Sequence, residues 1–198
     1  MKKLSSGAEA ILYEDGDVVI KYRKKKSYRI KEIDEPIRYH RTKAEFQALK
    51  RCNETGINVP SPIKISKEGD KLYMSKIDGK QMDYSFSLSN MSQIGEMVAS
   101  MHTEGVIHGD LTTANILINR SGAVIIDFGL SYFSRKDEDR ATDIAMLKSA
   151  LRSRHPKEAE DAYRLFIASY RKRLGKEFKG VETHLKDIER RRRYHENG

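Results

Sequence analysis

The chain has 198 residues, of which 38% are hydrophobic and 34% are charged, and its formal net charge is +9. This length predicts one compact domain or two small lobes and argues against a large multidomain enzyme, while no apolar run approaches the roughly 18 residues that cross a bilayer. Cys52 is the only cysteine, so an intramolecular disulfide is excluded and a cytoplasmic protein without a membrane partner is expected.

The first third of the sequence predicts short strands and one helix. Apolar, β-branched segments at 10–13 and 18–22 flank an Asp-Gly turn, which is typical of a hairpin. Residues 34–54 predict a helix, and segments 63–65 and 72–74 predict a second pair of strands. This part of the chain is therefore expected to form a small β-rich lobe.

The second part of the sequence predicts mainly helices. Ser89 is predicted to cap a helix that ends at Gly105. A hairpin follows, with strands at 116–118 and 124–126, and the remaining sequence is helical. Its apolar face comprises Ala159, Tyr163, Phe166, Ile167, Tyr170 and Leu174.

Positive charge is concentrated in two segments. Residues 21–31 carry seven basic and no acidic side chains, and residues 171–193 carry ten basic and four acidic ones, so the rest of the chain is slightly acidic. A solvated surface would explain either segment. The arginines at 190–193 beside Tyr194 favour contact with RNA, because guanidinium groups match phosphates and aromatic rings stack on bases.

The chemically informative residues lie in two segments joined by a short apolar hairpin. Segment 108–115 reads His-Gly-Asp-Leu-Thr-Thr-Ala-Asn, and Asp-Phe-Gly follows at 127–129. Asp110, Asn115 and Asp127 are expected to converge at one end of the hairpin. Asp127 and Asn115 would suit Mg²⁺, which prefers oxygen ligands, and Asp110 would orient a hydroxyl or water and accept its proton. Either fragment alone is a plausible turn, but the combination indicates phosphoryl transfer.

Lys21 is the candidate phosphate-binding lysine. It ends the apolar strand Val18-Val19-Ile20, as in the Val-Ala-Ile-Lys strand of kinases, and its ammonium is expected to pair with the α- and β-phosphates of ATP. Glu45, on the following helix, is expected to hold that ammonium in place. The alternatives are a solvated Glu45 and another lysine of the basic run as its partner.

Over nearly its whole length the sequence resembles the protein-kinase-like superfamily. Lys21, Glu45, segment 108–115 and segment 127–129 occur in the order of the family's motifs. The resemblance implies an α+β, two-lobed protein-kinase-like fold with ATP between the lobes. It also implies that Asp143 is the buried aspartate that supports the catalytic loop, the alternative being an exposed or capping residue.

The same resemblance assigns the rest of the nucleotide site. It implies that Met74 lines the adenine pocket and that the backbone of Ser75 and Ile77 contacts adenine. The loop expected to cover the phosphates comprises Ser5, Ser6, Gly7 and Ala8. It holds one glycine where common kinases have the pattern G-x-G-x-x-G, so serine hydroxyls are expected to assist.

Departures from the common kinase pattern narrow the resemblance. Gly109 replaces the arginine of His-Arg-Asp, no Ala-Pro-Glu motif follows Asp127, the lower lobe is short and the C-terminus is basic. Together these features resemble the small atypical kinase/ATPase of the KEOPS (EKC) complex. The resemblance implies Ser/Thr kinase-like activity, Mg-dependent ATP hydrolysis on assembly, and support for threonylcarbamoyl modification of adenosine in tRNA.

The resemblance also implies partners and a division of the chain. The partners are a threonylcarbamoyl-transferase subunit, other KEOPS subunits and tRNA, the last through the basic tail, and DNA is not expected. The division is a β-rich lobe at 1–78, a reduced helical lobe with the catalytic loop at 79–185, and a basic tail at 186–198. Two alternatives remain open: a RIO-type protein kinase of ribosome maturation, and a non-catalytic pseudokinase scaffold.

Overall fold

A computed structural model describes residues 1–7, 9–28 and 30–196, with side chains up to Arg192. Its strands are β1 (Lys2–Ser6), β2 (Ala10–Asp15), β3 (Val18–Arg23), β4 (Pro62–Ile65), β5 (Lys71–Ser75), β6 (Lys80–Gln81), β7 (Val106–Ile107), β8 (Ile116–Asn119), β9 (Gly122–Ile125) and β10 (Tyr132–Phe133). Its α-helices are α1 (Lys31–Glu54), α2 (Met91–Thr103), α3 (Asp137–Arg154), α4 (Ala159–Leu174) and α5 (Phe178–Glu196). No helix in the described ranges is both long enough and apolar enough to span a bilayer.

The N-terminal part is a five-stranded antiparallel sheet in the order β1-β2-β3-β5-β4. Both predicted strand pairs are present in it, and the predicted helix is α1, which begins at Lys31 rather than at 34. Strand β1 was not predicted, because all five of its residues are exposed and carry no hydrophobic alternation. The sheet presents an inner face, with Lys21 and Leu72 in register, toward the rest of the molecule.

The C-terminal part is mainly helical, as predicted, and α2 packs against α4 at its centre. The predicted hairpin is β8–β9, and Gly105 follows α2 with a positive φ of 74° that suits a residue without a side chain. The prediction that Ser89 caps this helix is wrong. Ser87 instead accepts a hydrogen bond from the Ser89 amide, at the start of a short 3₁₀ turn that precedes the helix at Met91.

The basic C-terminal segment belongs to α5. Phe178, Val181 and Leu185 are buried, so the first half of α5 packs on the core and against α3. The basic tail assigned to 186–198 lies within this helix as far as Glu196. Arginines 190–192 are exposed; Asn197 and Gly198 lie outside the described residues.

Candidate functional site

Lys21 lies at the centre of a buried charge cluster on the inner face of the sheet. Its Nζ is 2.7 Å from Glu45 Oε1 on α1 and 2.5 Å from Asp127 Oδ1 beyond β9. The second oxygen of Glu45 accepts from Arg23 Nη2 at 2.6 Å. Glu45 therefore holds two cations, Lys21 and Arg23, which lie two residues apart on the same face of β3.

Lys21 and Asp127 are both charged at neutral pH. Burial by itself would lower the pKa of Lys21, but the negative charges of Glu45 and Asp127 outweigh burial and raise that pKa above its ordinary value. Burial would also raise the pKa of Asp127, but the Lys21 ammonium beside it holds the pKa below its ordinary value. The site thus presents an ammonium and a carboxylate side by side.

Asp110 and Asn115 lie together on the loop between β7 and β8. The Asn115 Nδ2 group donates to both the carbonyl oxygen and the Oδ2 of Asp110, at 2.9 Å each. His108 braces the same loop, because its Nδ1 accepts from the Asp110 amide at 3.2 Å while its Nε2 donates to the Ile126 carbonyl at 3.0 Å. The Asp110 carboxylate is therefore held in one orientation and tied to the strand that leads to Asp127.

Asp143 anchors this loop from α3. Its fully buried carboxylate accepts the backbone amides of His108 at 2.6 Å and Gly109 at 2.8 Å. It also accepts from Nε2 of His102 at 3.3 Å, and Tyr170 donates to the other nitrogen of that ring at 2.9 Å. Burial lowers the pKa of His102 below its ordinary value, so the ring is a neutral member of the network at neutral pH.

Gly109 occupies a position that admits no side chain. Its φ is +77°, and a Cβ built on it would lie 2.3 Å from the carbonyl oxygen of Leu130. An arginine, as in His-Arg-Asp, would require Leu130 and the segment after the Asp-Phe-Gly motif to move. The glycine therefore permits close contact between the loop that carries Asp110 and that segment.

Asp127 has a strained backbone. It is the one non-glycine residue with positive φ, 61°, among the residues that the structure describes, and such strain is often retained at functional sites. The Gly129 amide donates to its Oδ1 at 3.2 Å, and its side chain is half exposed. This conformation turns the carboxylate toward Lys21 and the open cleft.

The predicted metal ligands do not form an all-carboxylate cage. No group of three or more His, Cys, Asp or Glu side chains suited to a metal occurs within the described part of the chain. Asp127 lines the cleft, whereas Asn115 does not and lies behind Asp110, to which its Nδ2 group donates; its Oδ1 is the second predicted oxygen donor. Such a sparse donor set fits Mg²⁺, which commonly completes its shell with water and substrate phosphates.

A cavity of about 300 Å³ separates Lys21, Asp110 and Asp127 from the β1–β2 loop. Its charged lining comprises Glu9, Lys21, Arg23, Arg41, Asp110 and Asp127. Ser5 and Gly7 line it from the loop, whereas the Ser6 hydroxyl accepts from Lys24 at 3.2 Å. Ala8, also predicted for this loop, lies outside the described residues.

The predicted adenine-contacting segment follows β5. Met74 is buried at the end of this strand, and Ser75 is tied to Ser61 in both directions, its amide donating to the Ser61 carbonyl and its Oγ accepting from the Ser61 amide, at 2.8 Å each. The Ser75 amide is therefore occupied by a bond within the protein. Ile77 lies two residues further on, outside the strand.

Three charged residues of the cleft were not assigned to the site by sequence: Glu9, Arg23 and Arg41. Arg23 could have been found from strand periodicity, since it follows Lys21 by two residues on β3. Arg41 precedes Glu45 by four residues on α1, so it lies on the same helix face. The pairing of Glu9 with Arg41 joins segments 32 residues apart, and no local pattern indicates it.

Comparisons of the sequence with known proteins agree on one protein family. The model of the RIO domain matches residues 8–164. A protein of Encephalitozoon cuniculi named EKC/KEOPS complex subunit BUD32 is 40% identical over 163 residues, which cover 79% of this chain and 81% of that protein. A protein of Methanosphaera stadtmanae named probable bifunctional tRNA threonylcarbamoyladenosine biosynthesis protein is 35% identical over 197 residues. These cover 95% of this chain and 36% of that protein, so the chain spans about a third of the bifunctional relative.

Solved structures give the same fold. The crystal structure of the Rio2 kinase in an ADP/Mg²⁺–phosphoaspartate complex, from Chaetomium thermophilum, superposes with a TM-score of 0.61 at 19% identity. The match covers 96% of this chain and 72% of the kinase chain. The predicted two-lobed, protein-kinase-like α+β fold is thereby confirmed.

Proposed function

Since this chain belongs to the RIO domain family of protein-kinase-like proteins, within the group that contains the BUD32 subunit, we propose that its cleft binds Mg·ATP and transfers or hydrolyses the γ-phosphoryl group. The observation that carries the proposal is the position of the Lys21 ammonium. It lies between Glu45 and Asp127 at a cavity that Asp110 also lines. Lys21 provides the phosphate-binding cation, and Asp110 provides the base.

The proposed reaction is an in-line displacement at the γ-phosphorus. Asp110 orients a water or a Ser/Thr hydroxyl and accepts its proton as the new oxygen–phosphorus bond forms. The bond from the γ-phosphorus to the bridging oxygen breaks at the same time, and ADP departs with its electron pair. Lys21 offsets negative charge on the α- and β-phosphates throughout, held in place by Glu45.

The remaining predicted residues position the nucleotide. Met74 contacts the adenine ring, and the carbonyl of Ser75 and the backbone of Ile77 bind its edge. Ser5, Ser6 and Gly7 lie over the phosphates. Asp127 and Asn115 hold Mg²⁺, which offsets phosphate charge when bound.

We further infer that this activity serves the formation of threonylcarbamoyladenosine in tRNA, within a KEOPS-type complex. The support is that relatives 33–40% identical carry names of that process and that complex. The exposed arginines 190–192 of α5 provide a surface of the right charge for tRNA. The threonylcarbamoyl transfer itself is assigned to a partner subunit.

Of the two alternatives, a RIO-type kinase agrees with the match of the RIO domain model to residues 8–164 and with the fold of the Rio2 kinase, which is 19% identical to this chain, but neither match names ribosome maturation. A pseudokinase scaffold would not require Lys21, Asp110 and Asp127 to line one cavity, nor Asn115 to be bonded to Asp110. The two alternatives predict different partners and different catalysis, so one experiment separates them.

That experiment is co-purification at native expression level, followed by ATPase assays with and without the recovered partners and tRNA. We expect the partners and tRNA together to raise the rate of the parent chain, and Lys21→Met to remove the activity because the phosphates lose their buried cation. Lys50→Met, at an exposed position of α1, is the control and should behave as the parent. Recovery of ribosomal precursors without stimulation would favour ribosome maturation, and equal rates for Lys21→Met and parent would favour the scaffold.

A further inference from the structure

Arg41 forms a contact at the rim of the cavity that the proposed chemistry does not use. Its Nη1 lies 2.7 Å from Glu9 Oε2, and both side chains line the cavity. Glu9 has a second cationic partner, since Lys26 Nζ lies 3.5 Å from its other carboxylate oxygen. Glu9 can therefore lose Arg41 and still keep a paired charge.

The order of residues along β3 gives the direction in which a bound nucleotide would run, and Arg41 on α1 lies near the phosphate end. Val18 pairs with Ser75, where the adenine-contacting segment begins, and Lys21 lies three residues, or about 10 Å, further along the strand. Arg23 comes next, bonded to Glu45 and to Thr42, the neighbour of Arg41. A nucleotide with its base at Ser75 and its first phosphates at Lys21 would therefore extend its terminal phosphate toward Arg41.

Arg41 has N–H donors without a partner among the described residues, whereas Arg23, which also lines the cavity, is almost fully buried and bonded. Arg23 is 4% exposed and is engaged by Glu45 and Thr42. The Arg41 side chain is 39% exposed, and its hydrogen bond within the described residues goes to Glu9 alone. A guanidinium has five N–H donors and binds phosphate in a bidentate manner.

The β1–β2 loop above the cavity offers few backbone amide donors to a phosphate. Common kinases bring several backbone amides of a glycine-rich loop to the phosphates. Here one glycine is present, and the Gly7 amide is already donated to the Ala10 carbonyl at 2.9 Å. A charged side chain on α1 would supply what this loop does not.

We propose that Arg41 binds the terminal phosphate of the nucleoside triphosphate by exchanging Glu9 for that phosphate, so that it distinguishes triphosphate from diphosphate. The inference rests on the proposed ATP-binding function and adds to it a specificity-determining residue. The exchange is favourable because a phosphate carries more negative charge than a carboxylate and Glu9 retains Lys26. It also links the loop and α1 to the state of the nucleotide.

The test compares binding of ADP and of a non-hydrolysable ATP analogue, both with Mg²⁺, by titration calorimetry. Arg41→Gln is expected to weaken binding of the triphosphate about tenfold, the loss of roughly one charge-assisted contact, and to leave ADP binding nearly unchanged. Glu9→Gln is expected to tighten triphosphate binding, because it removes both the competitor for Arg41 and a nearby negative charge. Lys43→Gln, two residues from Arg41 and exposed on the same helix, removes the same charge and should change neither affinity.

The proposal is tested by whether Arg41→Gln and Glu9→Gln change the affinity for the triphosphate in opposite directions. If Arg41→Gln and Glu9→Gln weaken both nucleotides alike, the pair is a structural link and the inference is wrong. It is equally wrong if Arg41→Gln behaves as Lys43→Gln does. Absence of nucleotide binding by the parent chain would instead overturn the proposed function, so the two failures are distinguishable.

Discussion

Replacing Asp110 with asparagine is expected to lower the rate of ATP turnover by about 10²- to 10⁴-fold, the usual contribution of a general base. Asparagine has the same shape and can still accept the hydrogen bond from Asn115 Nδ2, which lies 2.9 Å from the Asp110 carboxylate. It cannot accept the proton of the attacking water or hydroxyl. The loss should therefore appear in the turnover rate at saturating Mg·ATP, with little change in nucleotide affinity.

The control for this variant is Asp161→Asn, at an exposed position on α4, which removes one carboxylate from the surface. It should turn over ATP at the parent rate. Phosphate release and nucleotide binding are measured on all three proteins. Turnover by Asp110→Asn within a few fold of the parent would exclude Asp110 as the base.

Replacing Asp143 with alanine is expected to lower the free energy of unfolding by about 3–5 kcal/mol, because two backbone amides and the neutral His102 ring lose their acceptor together. The carboxylate accepts two backbone amides and the His102 ring; His102 and His108 are fully buried with it, and Gly109 is partly buried. Each buried donor without a partner costs about 1–3 kcal/mol. The catalytic loop should also lose its orientation, because the amides of His108 and Gly109 fix it to α3.

Asparagine at position 143 should give an intermediate loss, since it keeps one acceptor oxygen and turns an NH₂ group toward one of the donors. Thr142→Ala is the matched control: this neighbour is exposed and its hydroxyl bonds only within α3, to the Glu138 carbonyl at 2.9 Å. It should change stability by about 0.5 kcal/mol or less. The free energies come from urea denaturation. An alanine variant as stable as Thr142→Ala would show that the network does not support the fold.

The sequence predicted those site residues that are brought together by segments close to one another along the chain. The β8–β9 hairpin lies between the segment that carries Asp110 and the one that carries Asp127, so the chain itself brings their ends together. Lys21 could be chosen from a run of seven basic residues because it ends an apolar strand and its side chain must follow the buried face. The roles of these residues in catalysis stay predictions until they are measured.

The unanticipated features depend on contacts between distant segments or on weak local signals. Glu45 binds both Lys21 and Arg23 only because α1 packs against the sheet. The same packing brings Arg41 to Glu9. Strand β1 is an exposed edge strand, whose residues need not alternate in polarity. The choice of Ser87 over Ser89 reflects a short 3₁₀ turn before α2, which moves the start of the capping contact by two residues.

The most direct test of the account is the Mg²⁺ dependence of ATP binding, measured by titration calorimetry on the parent chain and on Asp127→Asn. We expect the parent to bind ATP in the presence of Mg²⁺ and chelation of the metal to weaken binding by at least about tenfold. Asp127→Asn should lose most of this dependence, because one of the two proposed metal ligands is neutralised beside Lys21. Binding that is indifferent to Mg²⁺, or a parent chain that binds no ATP, would contradict the account.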